Sequence, residues 1–182
     1  MIYLFLATGF EECEALGIVD TCRRAGLEVN IVSITGELVV RSAHGVGICA
    51  DTLFEENDYT NATMLALPGG IPGATNLYAY APLRELLIEH AKAGKTLAAI
   101  CAAPLVLGLL GLLKGKKATC YPGFEDKLIG ATPTGKMVEV DGNILTGKGP
   151  AAAYFLGYAI IEHFKGHEVA KQVADGMLVT GV

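Results

Sequence analysis

The sequence predicts a single-domain α/β protein with a mostly parallel sheet and helices on both faces of that sheet. Short apolar runs typical of buried strands alternate along the chain with segments of helical periodicity. The connections are short, and no internal repeat, low-complexity stretch or linker interrupts them. A length of 182 residues fits one domain, 1–182, and a hydrophobic share of 52% is enough to fill its core.

The first half of the chain contains two predicted buried strands, one strand of alternating character, one helix and a short antiparallel excursion. In order, we predict a strand at 2–7, a helix at 12–24, a strand at 28–34, a short antiparallel excursion at 38–41 and 46–51, and a strand at 63–67. Gly9 ends the first apolar run, and Gly26 closes the helix as a C-terminal glycine. The excursion surrounds His44-Gly45, and Pro68-Gly69-Gly70 ends the last strand.

The second half repeats the alternation. We predict a helix at 81–93, a strand at 96–100, a helix at 104–113, strands at 136–140 and 143–146, and helices at 151–164 and 167–174. Leu83 and Leu87 have helical spacing, and Pro104 is tolerated in a first helical turn. Asp141-Gly142 between the two late strands is a strong signal for a two-residue hairpin turn.

Composition excludes several classes of function. A net charge of -5, with basic residues only in ones and twos, argues against a nucleic-acid partner. The apolar first residues are followed at once by Glu11 and Glu12, which favours a strand over a signal peptide. No apolar run reaches the roughly 18 residues that a membrane span requires, so we expect a soluble, cytoplasmic protein.

Two further counts bear on assembly and metals. Charged residues make up 18% of the chain, below the usual 25% or so, which favours a buried subunit interface. The five cysteines are an odd number without zinc-type spacing, so we expect reduced thiols and no metal site.

Three segments are expected to meet at one edge of the sheet. In open parallel sheets, ligands bind beyond the carboxyl ends of the strands. The turn from Gly9 to Glu14, the loop Pro68-Gly69-Gly70 and Cys101 each follow a predicted strand. We therefore expect the candidate site where these segments converge.

Cys101 has the sequence context of a nucleophile. A strand ends at this residue and small residues allow a helix to begin immediately, which is the layout of a nucleophile elbow. The positive end of that helix would lower the pKa of the thiol from about 8.5. The N–H groups of Gly70 and Ala102 are candidate donors to an oxyanion. The alternative is an inert cysteine buried at a strand end.

Glu14 is the candidate acid–base group. Acids in the first turn of a helix complement its macrodipole, so Glu11, Glu12 and Glu14 require no function to be there. The alternative is that one of the three points inward, where burial raises its pKa and allows it to donate a hydrogen bond to a thiolate. We expect the four histidines to be solvated surface residues: His44, His90, His163 and His167.

These residues lie in motifs that resemble the DJ-1/ThiJ/PfpI superfamily, and within it the DJ-1-like branch. The matching motifs occur in the family's order and cover essentially the whole chain: Gly9 to Glu14 with Val19-Asp20 and Arg23 to Gly26, Leu67 to Gly70, Ala98 to Pro104, and Gly147-Lys148-Gly149-Pro150. The resemblance implies a flavodoxin-like three-layer sandwich, a homodimer and no cofactor. It implies that Cys101 is an easily oxidised nucleophile, that Glu14 is its carboxylic acid partner, and that Gly69, Gly70 and Ala102 line an oxyanion site.

The resemblance also implies activities. Members of the family are credited with glyoxalase or deglycase action on small α-oxoaldehydes and their protein adducts, with redox-regulated chaperone action and with protection against oxidative stress. The leading hypothesis is therefore a cysteine enzyme acting on a small carbonyl substrate, and the alternative is a redox sensor or chaperone that uses oxidation of Cys101.

Two positions depart from family patterns. Ala102 stands where the peptidase branch has a histidine, which removes the base that peptide hydrolysis by a PfpI-type cysteine peptidase needs. Tyr121 stands where animal DJ-1 proteins have a histidine near the cysteine. Tyrosine donates a hydrogen bond but is a poor base near neutral pH, so Tyr121 is at most an accessory residue.

Overall fold

The computed structural model of the chain describes residues 1–179, which form eleven β-strands and six α-helices. The strands are β1 (Ile2–Leu6), β2 (Val29–Ser33), β3 (Val39–Arg41), β4 (Gly47–Cys49), β5 (Thr52–Leu53), β6 (Met64–Leu67), β7 (Thr96–Ile100), β8 (Lys117–Ala118), β9 (Thr132–Pro133), β10 (Val138–Asp141) and β11 (Ile144–Gly147). The helices are α1 (Glu12–Arg24), α2 (Gly73–Ala79), α3 (Ala81–Lys92), α4 (Pro104–Leu109), α5 (Ala153–Lys165) and α6 (His167–Gly176).

Seven of the described strands form the central sheet, in the spatial order β10-β11-β7-β6-β1-β2-β5. All neighbouring pairs in this sheet are parallel except β10 and β11, which form the predicted hairpin around Asp141-Gly142. Every residue of β1, β6, β7 and β11 is buried, so helices cover both faces of the sheet. The predicted α/β fold class, with a mostly parallel sheet between helices, is confirmed.

The helices form two packed groups. Helix α5 packs against both α1 and α6, and α2 packs against both α3 and α4. Helix α1 begins at the side chain of Glu11, whose Oε2 accepts a hydrogen bond from the backbone N–H of Glu14 at 2.6 Å. It ends before Gly26, which has a φ of +67°. This matches the predicted C-terminal glycine.

Strand order brings the candidate loops together. Strands β7, β6 and β1 are adjacent and parallel, so their carboxyl ends lie at the same edge of the sheet. The loops that follow β1 and β6 bind each other directly, because the N–H of Glu11 donates to the carbonyl of Gly69 at 2.9 Å. The N–H of Gly73 donates to the carbonyl of Gly9 at 3.1 Å. The predicted convergence of these segments with Cys101 is confirmed.

Several element boundaries differ from the sequence-based prediction. The helix predicted at 104–113 ends at Leu109, because Gly111 takes a φ of +73° and the N–H of Leu112 donates to the carbonyl of Leu107 at 2.9 Å. Together with the bond from the N–H of Gly111 to the carbonyl of Gly108, also 2.9 Å, this bond forms a Schellman motif. The segment predicted as one strand at 46–51 instead forms β4 only, and the following residues form β5 in the main sheet. Helix α2 was not predicted.

Within residues 1–179, no helix combines the length and the apolar character needed to cross a membrane. The predicted domain, 1–182, includes three residues at its end that lie outside the described part of the chain.

Candidate active site

Cys101 lies at a sharp turn directly after β7. Its φ is +64°, a left-handed conformation that is uncommon for any residue other than glycine. Its backbone N–H donates to the carbonyl of Gly147 at 2.9 Å, and its carbonyl accepts from the N–H of Tyr121 at 2.8 Å. The predicted elbow is therefore present, and 8% of the surface of Cys101 remains exposed.

The three acidic residues at the start of α1 have three different environments. Glu11 caps the helix, and Glu12, whose side chain is 14% exposed, has both of its carboxylate oxygens beside Nδ1 of the exposed His44, at 3.0 and 3.1 Å. Glu14 is 0% exposed, and its Oε2 accepts a hydrogen bond from the N–H of Gly69 at 2.7 Å. Of the two interpretations of this cluster, the inward-pointing carboxyl applies to Glu14.

Gly69 lies between Glu14 and Cys101. A Cβ atom at this position would be 2.6 Å from Glu14 Oε2 and 2.7 Å from Cys101 Cβ, both closer than real Cβ contacts allow. The absence of a side chain here lets the carboxyl and the thiol come within interaction distance of each other. The other carboxyl oxygen, Oε1, is buried and has no hydrogen-bond partner of regular geometry among the described residues.

Two backbone N–H groups face the thiol, those of Gly70 and Ala102. Gly70 has a φ of +85°, and a Cβ at this position would lie 2.6 Å from both the backbone N of Glu11 and the carbonyl of Gly9. Only glycine fits there. The resemblance implied that Gly69 also lines an oxyanion site, but its N–H is bound by Glu14. The donors at the thiol are therefore the N–H groups of Gly70 and Ala102.

Burial and the facing charges set the protonation of the pair. Burial raises the pKa of Glu14 to about 7, while the neighbouring thiol of Cys101 and the hydrogen bond from Gly69 lower it in part. Burial, followed by the charge of ionised Glu14, raises the pKa of the Cys101 thiol to about 12, against the lowering effect of the Gly70 and Ala102 N–H groups. The sequence predicted that a helix end would lower the pKa of this thiol, and that expectation is wrong while Glu14 is ionised. Helix α4 has only six residues and begins at Pro104, beyond the elbow.

The two groups therefore titrate together. Two adjacent acids in a shared buried site do not both ionise readily, because the second charge is repelled by the first. A thiolate at Cys101 is favoured only while Glu14 keeps its proton, and a neutral carboxyl next to a thiolate is a hydrogen-bond donor. The arrangement can thus hold one negative charge and pass one proton between sulfur and oxygen.

The remaining candidate residues are Tyr121 and the other cysteines. Tyr121 contacts Cys101 through its backbone N–H, while the residue as a whole is 47% exposed and its ring lies beside Gly149. Cys13 is exposed on α1, and Glu11 and burial raise the pKa of its thiol. Cys120 is buried, and burial raises the pKa of its thiol to about 11. All five cysteines are free thiols, as predicted.

One of the four histidines was assigned wrongly. His90 is buried, and its Nε2 lies 3.0 Å from the carbonyl oxygen of Thr96. The other three are exposed, although His44 pairs with Glu12 and His163 contacts Thr96. In the described part of the chain, one group of possible metal ligands comes together, namely Glu11, Glu12 and His44 within 4.8 Å. Glu11 is already the helix cap, and the group does not include Cys101.

Sequence reasoning missed two residues of β11 that support the backbone around Cys101. Gly147 accepts the N–H of Cys101, and Thr146 next to it accepts the N–H of Thr119 at 2.9 Å. Gly147 belongs to one of the motifs that carried the family resemblance, which is the signal that points to it. Nothing local in the sequence indicates the role of Thr146.

Comparison with known proteins agrees with this geometry. The model of the DJ-1/PfpI family matches residues 1–163. Protein DJ-1 homolog B of Arabidopsis thaliana is 37% identical over 176 residues, which cover 96% of this chain but only 40% of that protein. Protein dj-1beta of Drosophila melanogaster is 34% identical over 178 residues, which cover 97% of this chain and 95% of that protein.

The structural comparison gives the same result. The solved structure of oxidized Toxoplasma gondii DJ-1 superposes with a TM-score of 0.95 at 37% identity and covers 99% of this chain and 98% of that one. The predicted flavodoxin-like three-layer architecture is therefore confirmed. The family profile, the curated relatives and the shared fold together establish that the chain belongs to the DJ-1/PfpI family as a DJ-1-like protein.

Proposed function

We propose that this protein uses Cys101 to convert small α-oxoaldehydes, or their protein adducts, into 2-hydroxy acids, as a cofactor-independent glyoxalase or deglycase in stress protection. One observation carries the proposal: the buried carboxyl of Glu14, the thiol of Cys101 and the N–H groups of Gly70 and Ala102 meet at one point. A nucleophile, a proton carrier and two donors for an oxyanion are the groups that this chemistry requires.

The first step is addition of the thiol to the aldehyde carbon. The Cys101 sulfur forms a C–S bond, the carbonyl electron pair moves to the aldehyde oxygen, and the thiol proton ends on that oxygen through Glu14. The N–H groups of Gly70 and Ala102 stabilise the negative charge that develops on the oxygen before the proton arrives. The product is a hemithioacetal.

The second step moves a proton between adjacent carbons. Ionised Glu14 takes the proton from the hemithioacetal carbon, giving an enediolate whose charge lies on the oxygen of the neighbouring carbon. The proton of the hemithioacetal hydroxyl passes to that oxygen, and Glu14 returns its own proton to the neighbouring carbon, giving a thioester of a 2-hydroxy acid. A pKa of about 7 suits a group that must both accept and return a proton near neutral pH. Water then hydrolyses the thioester and restores the thiol, so the net reaction adds one water and needs no external oxidant.

The same contacts also favour a second function, that of a redox sensor or chaperone. Two molecules of peroxide can oxidise the Cys101 thiol to a sulfinate, with loss of two waters. A protonated Glu14 and the two N–H groups would then donate hydrogen bonds to the sulfinate oxygens. Cys13, Cys22, Cys49 and Cys120 have no comparable set of donors among the described contacts, so selective oxidation of Cys101 is expected.

Turnover of methylglyoxal, followed by detection of the 2-hydroxy acid product, tests the enzyme. We expect Cys101→Ser to lower kcat/KM by a factor on the order of 10³ or more, because the weaker nucleophile cannot form the hemithioacetal. The matched control is Cys13→Ser, an exposed thiol on α1, which should keep wild-type turnover. A fully active Cys101→Ser variant excludes the mechanism. Absence of wild-type turnover together with peroxide oxidation confined to Cys101 favours the sensor.

We further propose that one domain spans 1–182 and that the protein is a cytoplasmic homodimer. The low charged fraction of the chain supports the dimer, as do exposed apolar side chains on neighbouring elements, such as Leu16 on α1 and Tyr154 on α5. These two residues also line a surface groove with Cys13. Light scattering after size-exclusion chromatography decides the oligomeric state, and Leu16→Lys should shift a dimer towards monomer.

A further inference from the structure

Hydrogen bonds to both its backbone N–H and its backbone carbonyl hold the conformation of Cys101. A non-glycine residue at a φ of +64° persists only when its surroundings enforce that conformation. The N–H of Cys101 is bound by Gly147, at the end of β11, and its carbonyl is bound by Tyr121, in the segment after β8. The position of the thiol therefore depends on how these two segments are placed relative to each other.

The side chain of Thr146 joins these two segments directly. The hydroxyl oxygen of Thr146, the residue before Gly147, accepts a hydrogen bond of 2.9 Å from the backbone N–H of Thr119. Thr119 lies two residues before Tyr121, and both threonines are buried, at 0% and 1% exposure. Because this bond joins β11 to the segment that ends at Tyr121, it closes a ring of three hydrogen bonds around Cys101.

The ring can be followed from atom to atom. It runs from the N–H of Cys101 to the carbonyl of Gly147, back one residue to the hydroxyl of Thr146, across to the N–H of Thr119 and along the chain to the N–H of Tyr121. That N–H returns to the carbonyl of Cys101. The three bonds measure 2.9, 2.9 and 2.8 Å, all of regular length.

The side chain of Thr119 is outside this ring. Its hydroxyl donates to the carbonyl of Lys136 at 2.8 Å, a contact with the loop before β10. The ring therefore depends on the hydroxyl of Thr146 and on the backbone of Thr119. This difference separates a role at Cys101 from a general contribution of buried threonines to stability.

We propose that Thr146 is a positioning residue for Cys101, which it holds against Glu14 through the hydrogen-bonded ring. The inference rests on the proposed role of Cys101 as the reactive thiol. Thr146 touches neither the thiol nor a substrate. Its effect is to keep the sulfur aligned with the Glu14 carboxyl and with the N–H groups of Gly70 and Ala102, because the ring prevents the elbow from relaxing.

Three variants test the proposal by the pH dependence of Cys101 alkylation with iodoacetamide, measured on the Cys101 peptide by mass spectrometry. Thr146→Val keeps the shape of the side chain and removes the acceptor, Thr146→Ser keeps the acceptor, and Thr119→Val breaks only the bond to Lys136. A misplacement of about 1 Å can change a rate a hundredfold, so we expect Thr146→Val to change the alkylation rate constant about tenfold or to move its pH midpoint.

Thr146→Ser and Thr119→Val should keep the wild-type profile. The proposal is overturned if Thr146→Val alkylates within twofold of wild type across the pH range, or if Thr119→Val changes the profile as much as Thr146→Val does. Should Thr146→Val fail to fold, amide exchange in the wild type decides instead. The ring predicts that the N–H groups of Thr119 and Cys101 open together with the same protection, and independent opening contradicts it.

Alkylation needs no turnover, so the proposed function and this inference fail separately. A wild-type protein without activity on methylglyoxal whose profile still responds only to Thr146→Val would retain the positioning role and lose the enzyme. A wild-type protein with full activity on methylglyoxal, whose alkylation profile does not change in Thr146→Val, would retain the enzyme and lose the positioning role.

Discussion

The carboxyl group of Glu14 and the thiol of Cys101 meet beside Gly69, a residue that has no side chain to keep them apart. The same glycine donates its N–H to Glu14, so one residue both makes room for the pair and orients one member of it. This dual role makes Gly69 the most direct position at which to disturb the site without changing either reactive group.

Gly69→Ala is expected to separate the pair. The added methyl group would lie 2.6 Å from Glu14 Oε2, 2.7 Å from Cys101 Cβ and 2.8 Å from the carbonyl of Ile100. We expect unfolding in urea to show a loss of about 1–3 kcal/mol, the usual cost of overpacking a core, together with altered alkylation of Cys101. Gly176→Ala in α6 is the control, since no atom of residues 1–179 lies within 4 Å of its added Cβ. Equal stability of both variants would contradict the close approach.

Glu14→Gln is expected to change how stability depends on pH. Because the pKa of Glu14 is raised from 4.5 to about 7, the folded protein binds more protons than the unfolded chain between these two pH values. Stability contributed by this group therefore falls as the pH rises through that window, by up to about 3 kcal/mol. Glutamine cannot ionise and can still accept the Gly69 N–H.

The measurement for Glu14 is urea unfolding at pH 5 and at pH 8. The free energy of unfolding of Glu14→Gln, relative to wild type, should be higher at pH 8 than at pH 5. A difference that is the same at both values would mean that the carboxyl is not buried in its neutral form. Glu85→Gln is the control, because Glu85 is exposed on α3 and its side chain makes no hydrogen bond or ion pair with the described residues.

Burial of His90 is expected to make the protein less stable in acid. Burial lowers the pKa of His90 from 6.5 to about 4, so the unfolded chain takes up a proton there before the folded protein does. The stabilising effect is complete above pH 6.5 and is lost as the pH falls towards 4, by roughly 2–3 kcal/mol. His90→Gln keeps a donor for the Thr96 carbonyl but does not titrate, so its stability should vary less between pH 7.5 and 4.5.

Exposed His167 provides the matched control for His90. His167→Gln should leave the pH dependence of urea unfolding as in wild type, because its side chain is largely solvated. Titration of the His90 ring by NMR measures the pKa directly. A value near 6.5 would contradict the burial argument.

Tyr121→Phe is expected to have little effect. Tyr121 reaches Cys101 through its backbone N–H, which any residue except proline supplies, while the residue as a whole is half exposed. Alkylation of Cys101 and turnover of methylglyoxal should both stay within about twofold of wild type. A larger loss in either measurement would show that the phenol takes part in the chemistry and would assign Tyr121 an accessory role.

The parts of the fold that were predictable have local causes. Short apolar runs gave β1, β6 and β7, and the switch from strand to small residues gave the elbow at Cys101. The inward orientation of Glu14 also has a local signal, because it shares helical spacing with the buried Ile18 and Thr21. His90 has the same kind of signal, since it continues the buried face of Leu83 and Leu87. The helical spacing of His90 indicates burial, whereas histidine as a residue type led to the wrong prediction of a solvated side chain.

The parts that were not predictable depend on distant contacts. The early end of α4 depends on a left-handed glycine, Gly111, whose effect competes with a continuing run of leucines. The bond between Thr146 and Thr119 joins residues far apart in the chain, and neither has neighbours that suggest it. The raised pKa of the Cys101 thiol is caused first by burial and then by the charge of Glu14, and both depend on tertiary packing that sequence alone could not show.

The left-handed backbone at Cys101 also restricts which nucleophiles this scaffold can present. A β-branched side chain is strained at a φ of +64°, because its second branch crowds the adjacent peptide units. Threonine is therefore excluded from the turn, whereas serine, aspartate and asparagine can occupy it. Any change of chemistry at this position, in evolution or by engineering, has to draw on unbranched residues.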